Sequence, residues 1–148
     1  MPGHRLAIEP DIAEIPRLID WVERCCGEAG IASDLSFRLA LALDEAATNV
    51  IGHAFTGQAV PHRMAVELDI TDASVTATVI DNGQAFDPSA APEPDVSLPL
   101  DRRDPGGLGI LLIHRMVDRV EYRRVADENR LRLEKARGAK ADTPAPAR

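Results

Sequence analysis

Leu39–Phe55 reads LALALDEAATNVIGHAF, with two polar residues, Glu45 and Asn49, set among small and apolar neighbours. At about 100° per residue, a helix sorts this stretch into two faces. Leu39, Leu43, Ala46 and Val50 form one stripe, while Arg38, Ala42, Glu45, Asn49 and Gly52 form another, well over about 90° away. The first stripe is a core face. On the second, a carboxylate and a carboxamide stand one turn apart beside alanine and glycine, which leaves room for a polar guest, so this stripe reads as a pocket wall. The plainer reading of the same helix, taken alone, is a solvated face.

The chain around this helix has 148 residues, 45% of them hydrophobic, enough for the core of one domain and too few for two. With aromatic content at 3%, that core must be built from Leu, Ile, Val and Ala. Trp21, Tyr122 and the three phenylalanines are too isolated to form a base-stacking platform. The net charge of −7 opposes a phosphate-backbone partner, so nucleic acid is excluded. Cys25 and Cys26 are adjacent in a predicted helix and point in different directions. They read as reduced, small hydrophobic residues suited to a cytoplasmic setting. No stretch reaches the roughly 18 apolar residues of a membrane span, so a soluble protein with no membrane partner is expected.

Upstream, Arg5–Ile8 fits a short edge strand, and Pro10 stands where a helix can begin, with Asp11 and Glu14 in its first turn. Ile12, Ile15, Leu18, Ile19, Val22 and Cys26 carry the helical period towards Gly27 and Gly30, which mark its end. Pro16 is tolerated only near the first turn. Ser33 is the expected N-cap of the central helix, which continues to Gly52 and a turn at Gly57. Downstream, Met64–Ile70 and Val75–Ile80 alternate with period two and form a hairpin through Thr71–Ser74.

The second of these strands ends in VIDNGQAFDP, residues 79–88. Asp81 brings a carboxylate to the sheet edge, and Gly83 is free to take a positive φ behind it, although Asp-Asn-Gly is also ordinary turn chemistry. Asp87–Pro105 holds five prolines and no usable period, the composition of a functional lid or a disordered loop. It closes on Gly106-Gly107-Leu108-Gly109, which opens an apolar helix. Amides at a helix start bind anions, and glycine permits their close approach. The cluster is neither a Walker loop nor a Rossmann fingerprint. Strands at Val120–Val125 and Arg130–Glu134 follow, joined by a polar turn at Asp127–Asn129. From Arg137 the small, polar, proline-containing tail reads as disordered, leaving residues 1–136 as the single domain.

In this order the pieces resemble the Bergerat ATP-binding fold of gyrases, Hsp90 chaperones, MutL proteins and histidine kinases. Within that superfamily EAATNVIGHAF, VIDNGQAFDP and GGLGILLIHRMVDRVEY are most similar to the RsbW-type anti-sigma-factor serine kinases of bacterial partner-switching modules, over roughly residues 5–135. The resemblance implies an α/β (α+β) two-layer sandwich, a mixed and mainly antiparallel sheet with three helices on one face. It implies ATP and Mg²⁺ as cofactors. Asn49 would be the magnesium ligand, Asp81 the acceptor for the adenine amino group, and Gly83 the tight turn beside the base. Gly106, Gly107, Leu108 and Gly109 would meet the phosphates. Arg102 and Arg103 would either contact the terminal phosphate or merely solubilise the loop. Glu45 would take the proton from the attacking serine, while His53 caps or packs at the helix end. Arg130 stands about where many relatives carry a small hydroxyl residue. The implied partners are a STAS-type anti-anti-sigma protein, a sigma factor and a second copy in a homodimer. The alternative is an ATP-binding switch that sequesters partners without phosphorylating them.

Overall fold

The computed structural model describes residues 3–55, 61–87 and 105–138. Its elements are β1 (His4–Ile8), α1 (Ile15–Glu28), α2 (Ser33–His53), β2 (Met64–Ile70), β3 (Ser74–Asp81), α3 (Pro105–Met116), β4 (Arg119–Val125) and β5 (Glu128–Ala136). The strands lie in the order β1-β2-β3-β5-β4. Every pairing is antiparallel, so the mainly antiparallel sheet contains no parallel pair among the described strands.

Alternation along the strands sends one set of side chains towards the helices and the other set away. Val66 and Leu68, Val75, Ala77 and Val79, and Leu131 and Leu133 join the buried cluster formed by the three helices. On the opposite face the strands carry long charged residues that pair across the sheet, Arg5 with Glu67 and Arg132 with Glu121, and along β5, Arg132 with Glu134. Ala65 and Ile80 are buried on this face as well. The helices supply the core in return. Leu39 and Leu43 of α2 are fully buried, and truncating either to alanine would cost about 2–5 kcal/mol. α2 is the central helix, packed between α1 and α3.

Several local expectations are corrected. The helix placed from Pro10 breaks in two: Asp11 accepts from the Ala13 amide at 3.0 Å and caps a separate 3-10 turn at Ile12–Glu14. α1 begins only at Ile15, which puts Pro16 in its first turn, where the missing amide costs nothing. Ser33 is not the N-cap of α2. Ala32 is, with no side-chain bond, and Ser33 is the first helical residue, its carbonyl accepting from the Ser36 hydroxyl at 3.1 Å. α1 does end at the glycines as expected, in a Schellman arrangement: Gly30 takes φ +77°, its amide donates to Gly27, and the Ile31 amide donates to Cys26 at 2.9 Å. The β4–β5 turn is Ala126–Asp127, with Ala126 at φ 55°, so Asn129 lies inside β5 and not in the turn.

Cys25 and Cys26 are free and buried, and burial pushes the Cys26 thiol up to about 11, consistent with inert packing residues. Among the described residues no helix is long and apolar enough to cross a membrane.

Candidate functional site

Glu45 and Asn49 lie on α2 where the helix meets the start of α3. The contact is close because Gly109 has no side chain: a Cβ built there would fall 2.5 Å from Glu45 Oε1 and 3.9 Å from Asn49 Nδ2. Glycine inside a helix costs about 0.5–1 kcal/mol relative to alanine, so helix propensity alone does not favour it there. As the fifth residue of α3, Gly109 also has an intrahelical partner for its amide. Its lack of a side chain admits the Glu45 carboxylate, and the first-turn amides without an intrahelical partner are those of Gly106 and Gly107.

Glu45 is half-buried, and its carboxyl is raised above the usual 4.5, first by burial and then by the neighbouring Asp44 charge. Asn49 is 9% exposed, and its Nδ2 is buried with no hydrogen-bond partner. Buried amides are rarely left unpaired, and each exception calls for a physical explanation, of which a ligand is one. Turning the carboxamide by 180° would put its oxygen in the same place, so the position suits a polar ligand of either sign. Glu45 and Asn49 thus face the start of α3 at Gly109, while Arg38 and Gly52 on the same stripe are exposed.

The other half of the site is the turn after β3, and α2 positions it too. Gly83 sits against the C-terminal end of that helix, where a Cβ would come within 2.3 Å of the Ala54 carbonyl oxygen. The next amide, Gln84, donates to that oxygen at 2.7 Å. Gly83 does not have a positive φ, contrary to expectation. It must be glycine because backbone lies against backbone. Asp81 is 2% exposed, and its Oδ1 accepts from the Gly83 amide at 2.8 Å and from Asn129 Nδ2 at 2.9 Å. Burial raises the Asp81 carboxyl above its usual 3.8, while the bonds from Asn129 and Gly83 and the Arg124 charge oppose that rise.

Asn129 and Arg124 have no role in the sequence reading. Register explains why: Asn129 pairs with Asp81 across β3 and β5, while Arg130 pairs with Ile80. Arg130 thus faces the other side of the sheet, where it bonds Glu128 at 3.1 Å, and the residue beside Asp81 is Asn129. Arg124 Nη1 donates to the Gly83 carbonyl at 2.8 Å. His53 packs at the end of α2 as expected, its ring 5.3 Å from that of Phe86 and its carbonyl accepting from Gln84 Nε2. Arg102 and Arg103 lie outside the described residues, as does the side chain of Leu108. A cavity of about 240 Å³ opens on the far face of the sheet over Ala7, Ala65 and Ile80; it reaches Asp81 and Asn82 but neither Glu45 nor Asn49.

A family model described as the histidine kinase-like ATPase domain matches residues 8–135. The chain is 34% identical over 115 residues to the serine/threonine-protein kinase BtrW of Bordetella bronchiseptica, an alignment covering 76% of this chain and 79% of that protein. It is 31% identical over 105 residues to the serine-protein kinase RsbW of Halalkalibacterium halodurans, covering 64% of this chain and 63% of that protein. In structure it is similar to the RsbU and RsbW domains of Rv1364c from Mycobacterium tuberculosis, with a TM-score of 0.62 at 17% identity over 90% of this chain and 32% of that one. That likeness reports the fold, and the sequence matches report the kinship. The chain belongs to the histidine kinase-like ATPase domain family, among its RsbW-like serine/threonine-protein kinases.

Proposed function

We propose that this protein binds Mg-ATP between α2, the start of α3 and the Asp81–Gly83 turn, and transfers the terminal phosphoryl group to a serine of a STAS-type anti-anti-sigma protein. In its other complex it holds a sigma factor inactive. The observation that carries this reading is the unpartnered, buried Asn49 Nδ2 beside Glu45 and Gly109. Among the described residues no group of three or more His, Cys, Asp or Glu could hold a metal. A cation here would rest on Asn49 and on phosphate oxygens, a donor set that suits a hard ion such as Mg²⁺. When bound, that ion would neutralise charge on the transferring phosphoryl group.

The chain's own residues supply the rest. Asp81 accepts from the adenine amino group, and the free amides of Gly106 and Gly107, followed by Leu108, open towards the phosphates. Glu45 accepts the serine proton, a role its half-buried, raised carboxyl suits better than a fully solvated one would. Arg102 belongs to the same proposal as a phosphate contact, and homodimerisation and a cytoplasmic location belong to it as properties of the module.

The test is to incubate the purified protein with labelled ATP, Mg²⁺ and STAS proteins encoded nearby. Label on a serine of one of them is the expected result. Tight binding of the same protein without transfer would select a switch that sequesters partners and has no kinase activity.

A further inference from the structure

Asn129 is the most heavily bonded side chain of the candidate site. Its Nδ2 donates to Asp81 Oδ1 at 2.9 Å and to the Gln84 carbonyl at 2.7 Å. Its Oδ1 accepts from the Tyr122 hydroxyl at 2.5 Å, from Arg124 Nη1 at 3.1 Å and from the Phe86 amide at 3.3 Å. A carboxamide has two N–H donors and two oxygen lone pairs, so Asn129 is saturated. Its orientation is also determined. Turned over, it would set its oxygen against a carboxylate and a carbonyl, and its NH₂ against an amide and a guanidinium.

Two consequences follow. A saturated side chain cannot itself read a ligand, so any effect of Asn129 on binding must act through Asp81. And because Gly83 and Asn129 both bond the same carboxylate oxygen, Oδ1, the other oxygen of Asp81 carries neither bond. We infer that Asn129, held by Tyr122 and Arg124 of the β4–β5 hairpin, is a positioning residue that turns Asp81 Oδ2 outward as a fixed acceptor and so selects a base with an exocyclic amino group. This inference rests on the nucleotide site proposed above. It makes the hairpin at the far edge of the sheet part of the base pocket, although it is distant in sequence from the α2 and α3 motifs.

The test compares ATP with inosine triphosphate, which keeps the ribose and phosphates but presents a carbonyl where adenine has its amine. Dissociation constants are measured by calorimetry with Mg²⁺ for the wild-type protein and for Asn129→Leu, which has similar volume but no polar atoms. One well-placed polar contact corresponds to about tenfold or more in affinity. The wild type should therefore prefer ATP by at least that factor, and the variant should lose the preference by weakening on ATP alone. Equal weakening on both nucleotides would mean that Asn129 only supports the fold, and an intact preference would mean that Asp81 needs no help; either overturns the inference. Should Asn129→Leu fail to fold by circular dichroism, Arg124→Met, which frees the Asn129 oxygen and the Gly83 carbonyl, decides by the same ratio. Failure of the wild type to bind either nucleotide would sink the nucleotide site itself, and this inference with it.

Discussion

Gly109 and Glu45 lie in such close contact that a single methyl group on the glycine would stand 2.5 Å from the carboxylate oxygen. The obstructed atom is the end of a flexible side chain, so Glu45 can swing aside and the two helices can stay packed. Gly109→Ala should therefore leave the melting temperature unchanged or raise it, since alanine regains about 0.5–1 kcal/mol of helix propensity. Phosphoryl transfer should fall by about tenfold or more as the carboxylate is displaced, a barrier increase of about 1.4 kcal/mol. Melting curves and transfer rates on one preparation check it; a rate unchanged at higher stability would remove the Glu45 position from the chemistry.

Glu45→Gln keeps the shape of the side chain but cannot accept a proton. Transfer should drop about 10²- to 10⁴-fold while Mg-ATP affinity changes little. The wild-type rate should rise with pH through the Glu45 carboxyl, in a limb above 4.5 because burial raises it, and the variant should lack that limb. A variant with a near wild-type rate would exclude Glu45 as the base.

Asn49→Ala removes the unpartnered amide from the pocket. Deleting a buried polar group that has no partner should cost little stability, because no hydrogen bond is lost. Affinity for Mg-ATP should fall by at least about tenfold, whereas metal-free ATP should be affected less. Calorimetry with and without Mg²⁺ distinguishes the two, and equal losses in both would argue against a metal ligand.

Asp81 has a folded-state carboxyl raised above 3.8, so the folded protein holds that proton more tightly than the unfolded chain does, and stability is lost as pH rises through the raised value. Asp81→Asn should thus be more stable than the wild type at neutral pH, with the gain shrinking in acid. ATP binding should fall at the same time, because an amide nitrogen in the place of Oδ2 donates where an acceptor is needed. Thermal scans from about pH 4 to 8 with parallel nucleotide titrations check both. A variant that loses stability at neutral pH would show that the Asp81 charge serves the fold and not a ligand.

Much of the architecture is legible because its signals are local. The alternation of Met64–Ile70 and Val75–Ile80 marks two strands, and both form close to the expected limits. The i, i+4 spacing of Glu45 and Asn49 places them on one face of a helix wherever that helix goes. Helix starts are less local. Ser33 looks like a cap, yet Ala32 takes the extended backbone, and Asp11 spends its capping bond on the 3-10 turn, so the preceding helix starts later than its apolar period suggests.

What the sequence by itself determined are the elements whose interactions close within a few residues: the two-faced α2, the hairpin strands and the glycine-bonded end of α1. What only the tertiary structure decided are the contacts between distant segments. Asn129, and not Arg130, stands beside Asp81 because strand register sets which of two neighbouring residues faces the helices, and that pair is 48 residues apart. Gly83 and Gly109 are glycines because Ala54 and Glu45 press against them, and neither neighbour is near in the chain. The physical reason is the same in each case. Periodicity states which face of an element is buried, whereas the partner on that face is chosen by how all the faces pack together.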